Sequence, residues 1–383
     1  MAATRTERAY RFFSPFFRLY LRRKCGYRYD SFAEVKGPYL LLCNHTMDMD
    51  PIMLGCAAGR DLRFVASEHI MRKGFGTWFL QRYFNPIVHV KGKLGLKSSM
   101  EILRAVRRGE CVALFPEGNR SFNGSTGDIP AVTAKLAKST GVPLITYRME
   151  GGYLTQPRWS VSLRKGRVTG HLVRVYSAEE LKAAGEEELL ASIRADLFEN
   201  AYASNKSAQI PYCGKALARG IEAAVFSCPV CGGIGTLRSE GNFVRCTCGF
   251  SAEYQETGWL KAADGTLHTV TAWDEAQRER LKAMVEDAGE DDILFSNPLT
   301  AERIGDDHKV EARIRGELRV SKRGAFFGER FVPLGDIRGL AVHSRNTITA
   351  HIGSDETQYE LRGEEAFSAL KYRYLYQLLQ GKK

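Results

Sequence analysis

The sequence predicts an α/β chain in three parts: a half of alternating strands and helices, a small cysteine-held β segment, and a β-rich region closed by a helix. Three observations predict this. Short apolar runs at residues 38–43, 62–66, 86–90 and 111–114 alternate with helix-like stretches, the pattern of an α/β layer. Cys228-Pro229-Val230-Cys231 and Cys246-Thr247-Cys248-Gly249 flank a Gly-rich hairpin stretch, a spacing suited to metal ligation. Beyond residue 317, short alternating segments at 318–320, 325–332, 340–343, 347–352 and 358–361 lead into a helix-like stretch at 364–380.

At 383 residues the chain exceeds one ordinary domain. Its 44% hydrophobic content suffices for packed cores. The net charge of +11 is unevenly placed: residues 1–200 hold 31 Lys and Arg against 19 Asp and Glu, and residues 201–383 hold 24 against 25. The basic excess belongs wholly to the first half, which suits an anionic substrate or an anionic membrane surface there. A nucleic-acid-binding reading needs the positive face where the cysteine knuckles are, and that half is neutral.

Residues 1–28 are the extreme of this charge. Arg5, Arg8, Arg11, Arg18, Arg22, Arg23, Lys24 and Arg28 face one acid, Glu7, with Phe12, Phe13, Phe16, Phe17 and Tyr20 among them. No apolar run reaches the ~20 residues needed to span a bilayer, and arginines interrupt every candidate signal-peptide core. Aromatics among arginines describe a helix lying in a membrane interface, or one packing its aromatics on its own domain. Ser14-Pro15 is expected to cap and start a new helix.

The apolar run at 38–43 leads into Asn44-His45-Thr46-Met47-Asp48-Met49-Asp50, and Pro51 follows. Asp50 then caps a helix, with proline at its first turn. His45 lies in the strand-to-helix turn, where the Asp50 carboxylate can hold one ring nitrogen and leave the other free to take a proton. A helix cap beside a loop histidine is the plainer alternative. A second stretch weighs against it: Phe115-Pro116-Glu117-Gly118-Asn119-Arg120-Ser121 follows the apolar run at 111–114.

Together NH-x4-D and FPEG-x-RS resemble the glycerolipid (1-acylglycerol-3-phosphate, or lysophosphatidic acid) acyltransferase family, in the family's order. The resemblance covers roughly residues 10–200 and implies an αβα acyltransferase-type domain. It implies His45 and Asp50 as the catalytic pair, and Asn44, Lys91, Glu117, Gly118 and Arg120 as substrate-binding residues. Pro86-Ile87-Val88-His89-Val90-Lys91 is similar to the second motif, with lysine where the family has a phosphate-binding arginine; lysine keeps the charge but loses the bidentate fork. Glu117 and Arg120 are implied to position the acceptor's polar head, and are also expected to pair with each other. Gly118 is expected to let the backbone approach closely. Val142-Pro143-Leu144-Ile145-Thr146 partly matches the fourth motif.

Elsewhere in this half, Ser98-Ser99-Met100-Glu101 has capping-box spacing and is expected to open a helix ending near Gly109. Residues 158–176 are expected to add edge strands. Ser177-Ala178-Glu179-Glu180 repeats the capping-box pattern, before a break near Gly185.

Residues 211–220 read as a linker. The knuckles beyond it resemble a zinc ribbon, although the second is C-x-C. The resemblance implies four thiolates, Cys228, Cys231, Cys246 and Cys248, around a closed structural zinc; free thiols or a disulfide pair are the alternative. The remaining cysteines, Cys25, Cys43, Cys56, Cys111 and Cys213, are scattered; several lie in apolar runs and are expected in the core, a usage that suits a reducing setting. A polar helix is expected from Thr271 to about Asp287. The strands and final helix beyond it resemble, in pattern alone, a pleckstrin-homology-like domain.

The expected domains are a basic aromatic segment at 1–28, an acyltransferase domain at 29–204, a linker at 205–225, a zinc-ribbon-like domain at 226–256 and a β-rich domain at 257–383. The implied activity transfers an acyl group from acyl-CoA or acyl carrier protein to the free hydroxyl of 1-acyl-glycerol-3-phosphate, forming phosphatidic acid. It needs no redox cofactor and is expected at the cytoplasmic face of the membrane, peripheral or monotopic. Glycerol-3-phosphate or another lysolipid as acceptor, a non-catalytic lipid-binding scaffold, and a zinc-ribbon nucleic-acid-binding protein are the alternatives.

Overall fold

The computed structural model describes residues 5–67, 81–82, 84–89, 96–305 and 309–381. The chain divides into two compact units: Met1–Pro157 with Leu163–Gly214, and Arg158–Ser162 with Lys215–Lys383.

The first unit is built on seven strands: β1 (Arg28–Tyr29), β2 (Leu40–Cys43), β3 (Arg63–Ser67), β4 (Ile87–His89), β5 (Val112–Leu114), β6 (Leu144–Glu150) and β7 (Thr169–Tyr176). They form one sheet in the order β1-β7-β6-β2-β5-β3-β4. β2 runs parallel to both neighbours, β5 and β6. All four β2 residues are buried, as expected of a strand covered on both faces. Leu41 and Cys43 join one apolar cluster, and Leu40 and Leu42 join another on the opposite face, so alternate residues feed the two helical layers. This is the expected αβα arrangement. β7 lies antiparallel to β6, and the two-residue β1 lies outside it, so the edge expected at 158–176 belongs to β1.

The helices of this unit are α1 (Arg5–Cys25), α2 (Asp50–Ala58), α3 (Leu96–Arg107), α4 (Val132–Thr140), α5 (Gly152–Thr155), α6 (Ala178–Ala183), α7 (Glu186–Leu197) and α8 (Ala201–Ala208). Two expected starts are corrected. α1 passes through Pro15 without restarting, and Ser14 is a buried mid-helix residue. α3 begins two residues before Ser98, which is buried within the helix instead of preceding it. The Ser177–Glu180 capping box is present in both directions, and Gly185 precedes α7. α1 buries Leu21 and Cys25 in the α2-side cluster, while Phe12 and Phe16 stay 64% and 65% exposed. No described helix is long and apolar enough to cross a membrane.

The second unit holds two antiparallel sheets. β8 (Leu237–Glu240), β9 (Phe243–Cys246), β10 (Ser251–Tyr254), β11 (Leu260–Ala262) and β12 (Leu267–His268) pair in sequence order. α9 (Val270–Asp287) follows. Next come β13 (Phe295–Ile304), β14 (Val310–Ser321), β15 (Gly324–Phe327), β16 (Arg330–Pro333), β17 (Ile337–Val342), β18 (Thr347–Ile352) and β19 (Thr357–Arg362), and then α10 (Ala369–Leu379). Their order is β16-β15-β14-β13-β19-β18-β17, and α10 packs on β17 and β18. The single segment expected at 325–332 is two strands, because Gly328 turns the chain at φ +61°. The expected linker at 211–220 is half structured: Leu217 and Ala218 are buried in the second unit, so the unit boundary falls at Gly214. Arg158–Ser162 joins this unit through buried Trp159, whose ring meets Tyr254 edge-on at 5.5 Å.

Candidate active site

β2 and β5 are adjacent and parallel, so the two motif loops emerge side by side at their carboxyl ends, where α/β sheets commonly place ligands. Asp50 is the first residue of α2, but its side chain does not cap that helix. It folds back into the loop. Its Oδ2 accepts from Thr46 N at 2.6 Å, Met47 N at 3.0 Å and His45 Nδ1 at 2.9 Å, and its Oδ1 accepts from Thr46 Oγ1 at 3.0 Å. Asp50 is fully buried, and these donors satisfy its oxygens. With the Nδ1 proton directed at Asp50, Nε2 is the acceptor nitrogen, and it has no partner among the described residues. The His45 side chain keeps 22% of its surface, so a ligand can reach it. Its ring stacks on Phe115 at 4.3 Å, and Phe64 stacks beyond Phe115 at 6.4 Å.

Asn44 and Glu117 are both held by main-chain partners. Asn44 is buried and spans to β6: its Nδ2 donates to Met149 O at 2.8 Å, and its Oδ1 accepts from Met149 N at 2.7 Å. Through this pair of bonds it braces the loop against β6. Glu117 does not pair with Arg120: Oε1 accepts from His45 N at 2.7 Å and Oε2 from Gly127 N at 2.6 Å. It therefore ties the two motifs together by main-chain bonds. Burial pushes its carboxyl up to about 8; the Gly127 and His45 donors pull down, and the Asp50 charge adds to the rise. Gly118 adopts a left-handed φ of +66°, and among the described residues no protein atom beyond its chain neighbours lies within 4 Å of where a Cβ would stand.

Arg120 Nε lies 3.2 Å from Asp48 Oδ1, inside the first motif. Asp48 is also held by Gln156, which donates to Oδ2 at 3.1 Å. Ser121 N donates to His45 O at 3.1 Å, a further bond between the motifs. Lys91 lies outside the described residues.

Sequence reasoning passed over Gly152, where an added Cβ would stand 2.0 Å from Thr46 Oγ1. The Gly151-Gly152 pair was its only sequence signal. Thr46 itself, which supports Asp50 by two bonds, was also passed over.

Residues 24–150 match the acyltransferase family model. The match runs from the end of α1 to the end of β6 and contains His45, Asp50, Glu117 and Arg120. No curated protein matches the chain by sequence. Nine chains among solved structures match. One is the 1-acyl-sn-glycerophosphate (LPA) acyltransferase PlsC from Thermotoga maritima, 20% identical, covering 50% of this chain and 76% of that one, with a TM-score of 0.42.

Outside the first unit, the four predicted cysteines gather in the second. The Sγ atoms of Cys228, Cys231, Cys246 and Cys248 all lie within 4.8 Å of one another. Cys228 to Cys248 and Cys231 to Cys246 are both 3.7 Å. Metal–sulfur bonds of ~2.3 Å in a tetrahedron put sulfurs about 3.8 Å apart, so the set fits a zinc-type site. The separations exceed the ~2.05 Å of a disulfide. C-x-C suffices because Gly249, at φ +96°, closes a tight turn back to Cys246 O at 3.1 Å. α9 clamps the first knuckle: Arg280 donates to Cys228 O and Pro229 O, and Trp273 Nε1 to Ser227 O at 2.8 Å.

Proposed function

We propose that the chain is a glycerolipid acyltransferase that moves an acyl group from a thioester, acyl-CoA or acyl carrier protein, to the free hydroxyl of 1-acyl-glycerol-3-phosphate. The observation that carries this reading is the 2.9 Å bond between His45 Nδ1 and a buried, otherwise saturated Asp50, beside the family match at 24–150. The acceptor hydroxyl donates to His45 Nε2. As its oxygen attacks the thioester carbonyl, the proton passes to Nε2 and Asp50 stabilises the imidazolium. The C–S bond then breaks, and the thiolate takes the proton from the imidazolium. Arg120 and Lys91 receive the phosphate, with Arg120 exchanging Asp48 for the incoming anion. Glu117 positions the histidine. No redox step is involved.

In this reading the protein works at the cytoplasmic face of a membrane, peripherally, with α1 in the interface. Its exposed Phe12 and Phe16 lie among exposed arginines, which supports that placement. Cys228, Cys231, Cys246 and Cys248 hold a structural zinc; four thiolates leave no open position for catalysis. The β-rich region beyond α9 serves as a pleckstrin-homology-like module.

The test is phosphatidic acid synthesis by purified protein in anionic vesicles, with 1-acyl-glycerol-3-phosphate and acyl-CoA or acyl carrier protein. His45→Ala is expected to lower turnover by ~10²–10⁴-fold while keeping its melting temperature. Equal turnover by both proteins would remove His45 as the base. Silence of both with every donor and lysolipid would favour the scaffold reading.

A further inference from the structure

The second unit leaves the inner face of its seven-stranded sheet unfilled. A cavity of about 400 Å³ lies between β13–β19 and α10. That exceeds the ~150 Å³ apolar hole that stays dry and takes benzene, and falls in the ~300–1,000 Å³ range of ligand sites. Interiors are otherwise close-packed. Here Val332, Ile337, Leu340, Ile352 and Leu361 line the space and keep part of their surface open, although they point at the sheet's own helix. The wall is aliphatic and aromatic almost throughout.

Two of the lining residues are cations, Arg303 and Arg330. They differ in their partners. Arg303 Nε lies 3.0 Å from Glu311 Oε2. Arg330 is exposed on β16, and its guanidinium has no hydrogen bond or ion pair among the described residues. An aliphatic chamber beside an unmatched guanidinium complements a molecule with one alkyl chain and an anionic end. A peptide would need backbone partners that this wall lacks, since its polar atoms are few.

We propose that this cavity binds the chain of a single-chain anionic lipid, with its carboxylate or phosphate on Arg330. The site belongs to the second unit and takes no part in acyl transfer, so it stands whether or not the proposed activity does. Fatty acid and lysophosphatidate share the required chemistry.

The test uses the full chain and the fluorescent fatty acid cis-parinaric acid, displaced by dodecanoate, 1-dodecanoyl-glycerol-3-phosphate or 1-dodecanol. Ala325 lines the cavity on β15, and Ala325→Trp fills it. Wild type is expected to show one site that Ala325→Trp lacks. Arg330→Glu is expected to weaken either anion roughly tenfold and leave dodecanol unchanged. Because Arg330 is exposed, that variant folds even where the tryptophan does not, and circular-dichroism melting checks both. Tighter displacement by one of the anions identifies the headgroup. Parinaric acid binding that both variants retain, no binding in wild type, or dodecanol displacing as well as dodecanoate would overturn the proposal.

Discussion

Glu117 holds His45 by its main chain, with Oε1 accepting the His45 N–H at 2.7 Å, while Oε2 accepts the Gly127 N–H at 2.6 Å. The motif at 115–121 therefore fixes where the histidine stands, while Asp50 fixes which way its ring turns. Glu117→Gln keeps the shape but puts an NH2 against one of two N–H donors. Gly127 is exposed, but leaving the half-buried His45 N–H unmatched costs about 1–3 kcal/mol. Turnover is expected to fall at least tenfold, with the KM for the acceptor changed less than kcat. A fall confined to KM would return Glu117 to the substrate.

The same residue gives stability a pH dependence. Its folded carboxyl, pushed up to about 8 by burial, binds a proton more tightly than in the unfolded chain. Its contribution is therefore fully present below the unfolded carboxylate range and is lost as pH rises through about 8. Between pH 5 and 8 the wild type should lose melting temperature relative to Glu117→Gln. Parallel curves across that window would contradict the assignment.

The elements that carry chemistry were legible because each is local: an apolar run, a turn and a helix start lie within a dozen residues. His45 and Asp50 are five apart, and proximity along the chain was enough to pair them. The partners of Asn44 and Glu117, Met149 and His45, escaped local reading because they lie 105 and 72 residues away. Strand β13 was passed over because Pro298 argues against an interior strand. Strand β14 was read short although Val310, Ala312 and Ile314 alternate with Glu311, Arg313 and Arg315, a period-2 signal that was legible and missed.

Gly152→Ala tests how tightly the active-site turn is backed. The new methyl would stand 2.0 Å from Thr46 Oγ1, a buried group that donates to Asp50 Oδ1. Relief requires Thr46 to move and Asp50 to lose a donor. Overpacking of this kind costs about 1–3 kcal/mol. Melting temperature and kcat should fall together, and unchanged kcat would show that Thr46 does not support the catalytic pair.

The cysteine cluster predicts one zinc per chain by elemental analysis, bound at Cys228, Cys231, Cys246 and Cys248. Cys231→Ser removes one exposed thiolate and should lower zinc content and the stability of the second unit. A chelator should reproduce that loss in wild type and add nothing to a zinc-free variant. Because the ligand set leaves no position for substrate, His45-dependent turnover should survive where the first unit stays folded. Zinc absent from protein purified without chelator would leave the cluster as free thiols.

α1 makes the last prediction. Leu21 and Cys25 bind it to its own unit, while Phe12 and Phe16, i and i+4 on one face with ring centroids 6.1 Å apart, stay exposed. Aromatic burial in the headgroup region and attraction of the surrounding arginines to anionic lipid should act together. Phe12→Glu with Phe16→Glu removes the first and opposes the second, and neither ring is needed for packing. Flotation with phosphatidylglycerol-containing vesicles should fall at least tenfold for the double variant. Wild-type binding should weaken with added salt, since the Debye length shrinks from ~10 Å at 0.1 M to ~3 Å at 1 M. Its melting temperature should stay put, which separates lost binding from lost folding. Equal flotation of both proteins would move membrane contact away from this helix.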